Sequence, residues 1–199
     1  MAKSFEFFFD YTSPTAYLAW HALPKLLEET GADVELRPMF LGGVMQATGN
    51  RPPGTVPAKG AYMGRDLQRC AKRIGVEVHS NPYFPVNTLK ALRATVGLGD
   101  EDKAAQKAFI GACFDQSWGV PEPKNLGSED DLRRVAEIAG VDPDHVAALA
   151  GDATMKARLK EATDEAVERG AFGAPSFFVG DELFFGHDRM DYVAEAVAA

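Results

Sequence analysis

A serine between an apolar run and a helix is the residue of this sequence best placed for chemistry. Ser13 follows the aromatic residues 5–9 and precedes Pro14, which fits the first position of a helix. Unpaired backbone N–H groups and the helix dipole make a helix start favourable for an anion, and Ser13 adds one hydroxyl donor. The local sequence explains Ser13 equally well as a helix N-cap alone.

An ionised thiol supplied by a ligand suits this position. A free thiol has a pKa of about 8.5, and lowering it by roughly two units takes about 2.7 kcal/mol. A helix N-terminus supplies about 0.3–2 kcal/mol, and a hydrogen bond to a charged group supplies about 1.5–3 kcal/mol. Ser13 and the helix end together cover this requirement without a buried base. A serine-hydrolase site is a weaker interpretation, because no Gly-x-Ser-x-Gly elbow surrounds Ser13.

Composition and charge describe an ordinary globular protein. Of the 199 residues, 46% are apolar and 25% are charged. A chain of this length buries enough apolar surface to form a core without disulfide bonds or structural metal ions. The formal net charge of −8 argues against a nucleic-acid partner. No segment approaches the roughly 18 uncharged residues of a membrane span, and residues 5–9 are too few for a signal-peptide core. We therefore expect a cytoplasmic protein with neither nucleic acid nor membrane as a partner.

The cysteines and histidines do not form a recognisable metal or redox motif. Cys70 and Cys113 lie far apart, outside any Cys-x-x-Cys or zinc-ligand spacing, so two reduced thiols are expected rather than a disulfide. The four histidines are scattered as well: His21, His79, His145 and His187. No metal site is predicted.

The sequence around Ser13 predicts a strand-helix-strand unit. Residues 5–9 form an apolar run that is typical of a buried strand. Residues 15–29 suit a helix that ends at Gly31, and residues 33–39 alternate polar and apolar side chains as in a second strand. A β-α-β unit of this length predicts a parallel strand pair with a right-handed crossover.

The middle of the chain is predicted to be helical. Residues 42–60 are rich in Gly and Pro and are expected to form a loop. Helices are then expected at residues 62–75, 87–97, 101–118 and 128–139, followed by a short helix from Asp142-Pro143 and a longer one over residues 152–170. This stretch has no strong strand signal.

Strand patterns return near the end of the chain. Residues 174–179 and 182–185 are joined by a tight Gly-Asp turn and predict a hairpin, with a closing helix over residues 188–198. The order of elements predicts an α/β fold: a thioredoxin-like mixed sheet with an inserted all-helical domain. The expected boundaries are 1–58 and 171–199 for the thioredoxin-like domain and 59–170 for the insertion.

On thioredoxin-like scaffolds, redox proteins carry Cys-x-x-Cys at the turn after the first strand. Here the same stretch is Ser13-Pro14-Thr15-Ala16, which contains no sulfur. Dithiol exchange at this turn is therefore excluded.

Several motifs spread along the chain resemble one family, the 2-hydroxychromene-2-carboxylate isomerases with the related kappa-class glutathione transferases. The matching segments are Asp10-Tyr11-Thr12-Ser13-Pro14, Phe40-Leu41-Gly42-Gly43, Gly49-Asn50-Arg51-Pro52-Pro53-Gly54, Lys59-Gly60-Ala61-Tyr62-Met63, Phe84-Pro85-Val86-Asn87-Thr88, Gly173-Ala174-Pro175-Ser176-Phe177 and Phe185-Gly186-His187-Asp188-Arg189. They run nearly end to end in the family's order and are specific together. The segments around Asn50 and Phe84 look more like those of the isomerases.

The resemblance implies a glutathione site built from distant parts of the chain. It implies that Ser13 contacts the glutathione sulfur and that Asn50 and Lys59 reach the tripeptide. A turn residue before Pro-Pro-Gly is the rival role for Asn50, and a solvated surface lysine is the rival for Lys59. The family's cis-proline corresponds to Pro175, and a cis bond turns the Ala174 backbone towards the cysteinyl part; a trans proline at a strand start is the alternative.

The end of the chain is expected to hold the γ-glutamyl group. By resemblance, Asp188 meets its ammonium, although Asp188 also suits the N-cap of the last helix. His187 departs from the serine or asparagine expected there as donor to the γ-glutamyl carboxylate. Neutral imidazole still donates one hydrogen bond, so the affinity for glutathione is expected to vary with pH near the histidine pKa of about 6.5.

The implied activity is isomerisation of 2-hydroxychromene-2-carboxylate, or a related aromatic catabolite, to trans-o-hydroxybenzylidenepyruvate through a transient glutathione adduct. Glutathione is regenerated and acts as a cofactor, and the resemblance also implies a homodimer. Candidate contacts for the aromatic carboxylate are Tyr62, Phe84 and Trp118 as walls and Asn87 as a polar group, with core packing and helix capping as their rival roles. A glutathione transferase or peroxidase and a non-catalytic thioredoxin-like binding module remain alternatives.

Overall fold

Four short strands form the central sheet of the protein. The computed structural model describes residues 3–199, and its strands are β1 (Ser4–Phe9), β2 (Asp33–Pro38), β3 (Ser176–Val179) and β4 (Glu182–Phe185). They lie in the order β2-β1-β3-β4. The first pair is parallel, whereas β1–β3 and β3–β4 are antiparallel. The predicted parallel pair, the hairpin and the mixed sheet are therefore confirmed.

Helices cover both faces of this sheet, which explains the three consecutive aromatic residues 7–9 in β1. Phe5, Phe7 and Phe9 point into the main hydrophobic core. Phe8 points to the opposite face, where it packs in a second cluster that includes Met39. Aromatic side chains are therefore required on both sides of the strand.

Nine helices are present within residues 3–199. They are α1 (Pro14–Thr30), α2 (Leu41–Thr48), α3 (Pro57–Ile74), α4 (Leu89–Glu101), α5 (Lys103–Phe114), α6 (Glu129–Ile138), α7 (Pro143–Gly151), α8 (Ala153–Glu168) and α9 (Met190–Ala198). A π-helical turn, Asp115–Gly119, continues α5. Local signals mark several of the ends: Ser128 caps α6 with its side chain, and Gly31 ends α1 at a φ of 64°.

The prediction of a loop over residues 42–60 is wrong, because the segment contains α2 and the first turn of α3. Two adjacent glycines lowered the expected helix propensity. In the structure these glycines make room for an aromatic ring: a Cβ at Gly42 would lie 2.7 Å from Phe40 Cζ, and one at Gly43 would lie 3.2 Å from Cδ1. Close packing of Phe40 on the helix overrides the propensity.

Two other predicted helices differ from the structure. The expected helix over residues 101–118 begins only at Lys103, because Asp102 leaves the helical conformation and caps α5 through the N–H groups of Ala104 and Ala105. The expected closing helix starts with a 3₁₀ turn, His187–Arg189, before α9.

The division into two domains stays a prediction. The boundary expected between residues 58 and 59 falls inside α3, and the main core runs without interruption from β1 into α4–α7. Both cysteines are free thiols, Cys113 buried and Cys70 partly exposed. None of the helices in residues 3–199 has the length and apolar character needed to cross a membrane.

Candidate active site

Ser13 lies at the junction between β1 and α1 and is only 4% exposed. Its Oγ accepts a hydrogen bond from the Ala16 N–H at 3.1 Å, which makes it the N-cap of α1. The same hydroxyl donates to the Ala174 carbonyl at 3.0 Å, 161 residues away in the sequence. Ser13 is therefore able to cap α1 and to donate a hydrogen bond at the same time, because the cap uses Oγ as an acceptor and leaves its proton for another partner.

Thr15 shares the contacts of Ser13 and was not singled out from the sequence. Its hydroxyl lies 2.9 Å from Ser13 Oγ and donates to the Ala174 carbonyl at 3.1 Å. The hydroxyl protons of Ser13 and Thr15 are thus shared among three oxygen atoms, the two hydroxyl oxygens and the Ala174 carbonyl oxygen. One hydroxyl is therefore able to keep the carbonyl of Ala174 satisfied while the other turns towards a ligand.

The Ala174–Pro175 peptide bond is cis, as predicted. This bond places the Ala174 carbonyl next to Ser13 and Thr15 at the start of α1. The Pro175 carbonyl accepts the N–H of Gly186 at 3.0 Å, which brings the segment with His187 beside the same turn. The structure therefore assembles three distant segments at one end of the sheet.

A fully buried carboxylate, Asp10, holds the loop that carries Ser13. It accepts the N–H of Thr12 at 3.0 Å, the N–H of Leu41 at 2.8 Å and the hydroxyl of Thr88 at 2.7 Å. Burial raises the pKa of Asp10, and these three donors oppose the increase. Asp10 thereby joins the end of β1 to the starts of α2 and α4, a role that the sequence did not indicate.

Thr12 carries a hydroxyl without a partner, one residue before Ser13. Its Oγ1 is buried and makes no hydrogen bond within the part of the chain that the structure describes. Buried hydroxyl groups are rarely left in this state in native proteins. The orphaned atom next to a helix start is a feature that a bound ligand would explain.

Asn50 contacts the segment that leads to the cis-proline. Its Nδ2 donates to the Phe172 carbonyl at 2.7 Å, and its Oδ1 accepts the N–H of Arg51 at 2.8 Å. The second bond supports the turn role, and the first anchors the loop close to Ala174. The ring of Phe172 lies 4.5 Å from that of Phe185, and both are exposed, so an aromatic pair flanks Asn50.

Lys59 is exposed in the first turn of α3. No salt bridge to Lys59 occurs within residues 3–199. Neither Ser13 nor Asn50 forms a hydrogen bond with Lys59 in the described part of the chain. The structure therefore leaves its ammonium free to meet an anionic ligand, without bringing it to the other predicted site residues.

His187 has a buried ring nitrogen without a partner. Its Nε2 makes no hydrogen bond in the described residues. Burial lowers the pKa of His187, and the nearby carboxylates of Asp188 and Asp66 partly oppose the decrease. The imidazole is therefore neutral near pH 7, with one ring N–H as a donor.

Asp188 is exposed, and its carboxylate accepts from Arg189 Nη1 at 2.8 Å. The alternative that Asp188 caps the last helix is wrong, because Arg189 occupies the N-cap of α9 and no side chain caps it. The carboxylate therefore lies at the surface beside His187, in an ion pair with Arg189.

The four predicted substrate contacts fall into separate places. Phe84 is 52% exposed and packs edge-on against Trp118 at 5.9 Å, whereas Trp118 is only 5% exposed. The indole N–H of Trp118 donates to the Tyr11 carbonyl at 2.8 Å, so Trp118 supports the loop and Phe84 offers the accessible ring.

Tyr62 and Asn87 form hydrogen bonds with other residues. Tyr62 is 56% exposed, and its hydroxyl donates to Asp66 at 3.2 Å. The carboxylate of Asp66 is near enough to His187 to affect its pKa. Asn87 Oδ1 accepts the N–H of Leu89 at 3.2 Å and so helps to begin α4. The structure brings Phe84 and Trp118 together but does not join Tyr62 or Asn87 to them.

Comparison with known proteins places the chain in a family. The model of the DsbA-like thioredoxin domain matches residues 5–198. The chain belongs to this DsbA-like thioredoxin family. Residues 3–199 hold no group of three or more His, Cys, Asp or Glu side chains arranged for a metal ion.

Two kinds of relative match along almost the whole chain. A 2-hydroxychromene-2-carboxylate isomerase of Sphingobium xenophagum is 32% identical over 196 residues, covering 97% of each protein. Glutathione S-transferase kappa 1 of Caenorhabditis elegans is 30% identical over 202 residues, covering 96% of this chain and 88% of the relative. A solved structure of 2-hydroxychromene-2-carboxylate isomerase superposes with a TM-score of 0.87 at 28% identity, covering 97% and 93% of the two chains. These similarities confirm the family resemblance and the thioredoxin-like fold.

Proposed function

We propose that the protein is a glutathione-dependent isomerase acting on 2-hydroxychromene-2-carboxylate or a closely related aromatic catabolite. The observation that carries the proposal is the pairing of the Ser13 hydroxyl with the carbonyl of the cis Ala174–Pro175 bond at the start of α1. The turn contains no cysteine, so the sulfur has to come from a ligand. Isomerase relatives with 32% identity over nearly the full length support the same activity.

The residues around Ser13 fit glutathione. Two of the buried side-chain atoms without partners in residues 3–199, Thr12 Oγ1 and His187 Nε2, belong to segments that hydrogen bonds bring to the cis bond. We assign Asn50, Lys59 and Asp188 to the charged and amide groups of the tripeptide, with His187 as a donor to its γ-glutamyl carboxylate. When bound, glutathione would supply a nucleophilic thiolate that is regenerated at the end of the reaction.

Ser13 stabilises the anionic sulfur in this proposal. Its hydroxyl turns away from the Ala174 carbonyl, and Thr15 keeps that carbonyl hydrogen-bonded. The N-terminus of α1 adds its dipole and unpaired N–H groups. Because Ser13 is 4% exposed, the charge would sit away from bulk water, where the same hydrogen bond is worth more.

The exposed ring of Phe84 is our candidate for stacking the aromatic substrate, supported from behind by Trp118. Asn87 lies three residues further on and offers an amide N–H₂ group for the carboxylate. Tyr62, on α3, is assigned to the opposite rim. We also propose that the enzyme works in the cytoplasm as a homodimer, as the resemblance implies.

Purified protein and reduced glutathione test the proposal directly. The absorbance of 2-hydroxychromene-2-carboxylate is followed with and without glutathione, and Ser13→Ala is compared with Ser128→Ala, which removes the cap of α6 instead. We expect conversion only with glutathione, loss of activity in Ser13→Ala, and retention in Ser128→Ala. Unchanged absorbance in the presence of bound glutathione would contradict the isomerase assignment.

A glutathione transferase of the kappa class is the second candidate, because kappa 1 of Caenorhabditis elegans is 30% identical over 96% of this chain. Both activities use the same site, so stoichiometry separates them. An isomerase leaves the glutathione concentration unchanged, whereas a transferase consumes one glutathione for each product. Calorimetry that detects no binding of glutathione at millimolar concentration would instead favour a non-catalytic module.

A further inference from the structure

A cavity of about 720 Å³ lies between α2, α4 and α8, away from the residues assigned to glutathione. Its volume is that of a site for a small organic ligand, which typically measures about 300–1,000 Å³. None of the residues assigned above to glutathione or to the aromatic substrate lines it.

The cavity has an apolar floor. The side chains that form it come from the loop before α2, from the first turn of α4 and from one face of α8: Phe40, Leu89, Leu159 and Val167. Small residues on α2, Gly43 and Ala47, keep the opposite wall open. Such a surface favours the hydrocarbon part of a ligand, because burial of apolar area is worth about 25 cal/mol per Å².

The rim of the cavity carries a guanidinium without a partner. Arg93 Nε is buried and makes no hydrogen bond within residues 3–199, and Arg93 forms no salt bridge there. Lys156, also on the rim, has no ion pair among the described residues, whereas Lys160 is bonded to Asp164. The lining also includes the carboxylate of Glu168, so that, with Lys160 and Asp164 paired, the cavity keeps a net charge of one positive unit. That charge next to an apolar floor is complementary to one carboxylate on an apolar body, since Arg binds carboxylates through paired N–H donors.

Helix α2 separates this cavity from the site around Ser13. Leu41 and Val44 pack in the cluster that contains Ala174, whereas Gly43 and Ala47 face the cavity. A molecule bound here would therefore contact a different face of α2 from a molecule at the cis-proline. The two sites are distinct in the residues that form them.

We propose that this cavity is a second binding site, for an apolar monocarboxylate whose carboxylate pairs with Arg93 and Lys156. The hydrocarbon part lies on Phe40, Leu89 and Leu159. Binding satisfies the orphaned Nε of Arg93, whose burial without a partner otherwise costs free energy. The proposal does not depend on the isomerase assignment.

The probe is 2-naphthoate, titrated by calorimetry into the full-length protein, with the uncharged naphthalene-2-methanol as the matched ligand. We expect one site for the carboxylate and binding at least about tenfold weaker for the alcohol and for Arg93→Gln, as loss of a charge-assisted hydrogen bond implies. Arg134→Gln is the control, because Arg134 is an exposed arginine on α6. Ala47→Phe, which places a ring in the cavity from α2, is expected to abolish binding as well.

Phe84→Ala, at the proposed aromatic-substrate site, shows which site the probe occupies. We expect it to bind 2-naphthoate as tightly as the wild type. If Phe84→Ala weakens binding while Arg93→Gln and Ala47→Phe leave it unchanged, the probe lies at the proposed substrate site and the proposal is wrong. Absence of any binding at millimolar 2-naphthoate would overturn it too. Circular dichroism of each variant establishes that the fold is retained.

Discussion

Replacement of Ser13 by alanine separates two roles of one hydroxyl. In the free protein Ser13 Oγ caps α1 and donates to the Ala174 carbonyl. Thr15 still donates to that carbonyl in Ser13→Ala, so the carbonyl keeps a partner. The loss in the free energy of unfolding should therefore be that of an N-cap, about 1 kcal/mol.

Ser13→Ala is also expected to change the pKa of the thiol of bound glutathione. A hydrogen bond to a charged group contributes about 1.5–3 kcal/mol, and about 1.36 kcal/mol corresponds to one pKa unit. The pKa of the bound thiol should therefore rise by about one to two units in Ser13→Ala. The remainder of its depression, due to the end of α1, should persist.

The measurement is a pH titration of thiolate absorbance for glutathione saturated with wild-type or variant protein. Ser128→Ala loses a cap on α6 and is expected to lower stability without moving the thiol pKa. Ser13→Asp keeps a cap acceptor but places a negative charge beside the sulfur, so thiolate should disappear. A thiol pKa that is the same in Ser13→Ala and the wild type would refute the reasoning, and Ser13 would be a cap only.

Three further substitutions test the surrounding residues. Thr15→Val removes the second donor to the Ala174 carbonyl, so Ser13 should stay bonded there and the thiol pKa should rise by less than in Ser13→Ala; an unchanged pKa in the same titration would show that Thr15 has no share. The pKa of His187 in the folded protein is below the unfolded value of about 6.5, so the protein loses stability as the pH falls through this range. The urea midpoint should therefore fall more between about pH 7.5 and 5.5 in the wild type than in His187→Asn. Equal falls in the two proteins would contradict the lowered pKa. Trp118→Phe leaves the Tyr11 carbonyl without its indole donor and should cost about 1–3 kcal/mol in urea unfolding; the exposed Tyr192→Phe is the control, and equal midpoints for the two variants would show that the bond contributes nothing.

The parts of the fold with regular side-chain patterns were predictable. The aromatic run of β1, the alternation in β2 and the Gly-Asp turn between β3 and β4 are local features, and each is confirmed. Helix α2 was missed because its glycines have low propensity, and the compensating contact with Phe40 is a matter of packing that propensity does not contain.

The site was predictable only where one residue carries a recognisable signal. Ser13 and the cis-proline at 175 stand in short motifs, and the structure confirms the cap and the cis bond. Asp10 and Thr15 gave no signal, because their roles depend on partners that lie 31 to 159 residues away. The assignments to glutathione itself remain predictions for all of the site residues, Ser13 and Lys59 alike.

The buried carboxylate of Asp10 has a consequence for the order in which the chain folds. Its acceptors are filled by Thr12 nearby, by Leu41 at a separation of 31 residues and by Thr88 at a separation of 78. Closing such long loops is slow, and a carboxylate excluded from water before its donors arrive would be strongly destabilised. The Ser13 loop therefore reaches its final conformation only after the start of α4 has docked. During synthesis the Ser13 loop therefore emerges early and becomes ordered late.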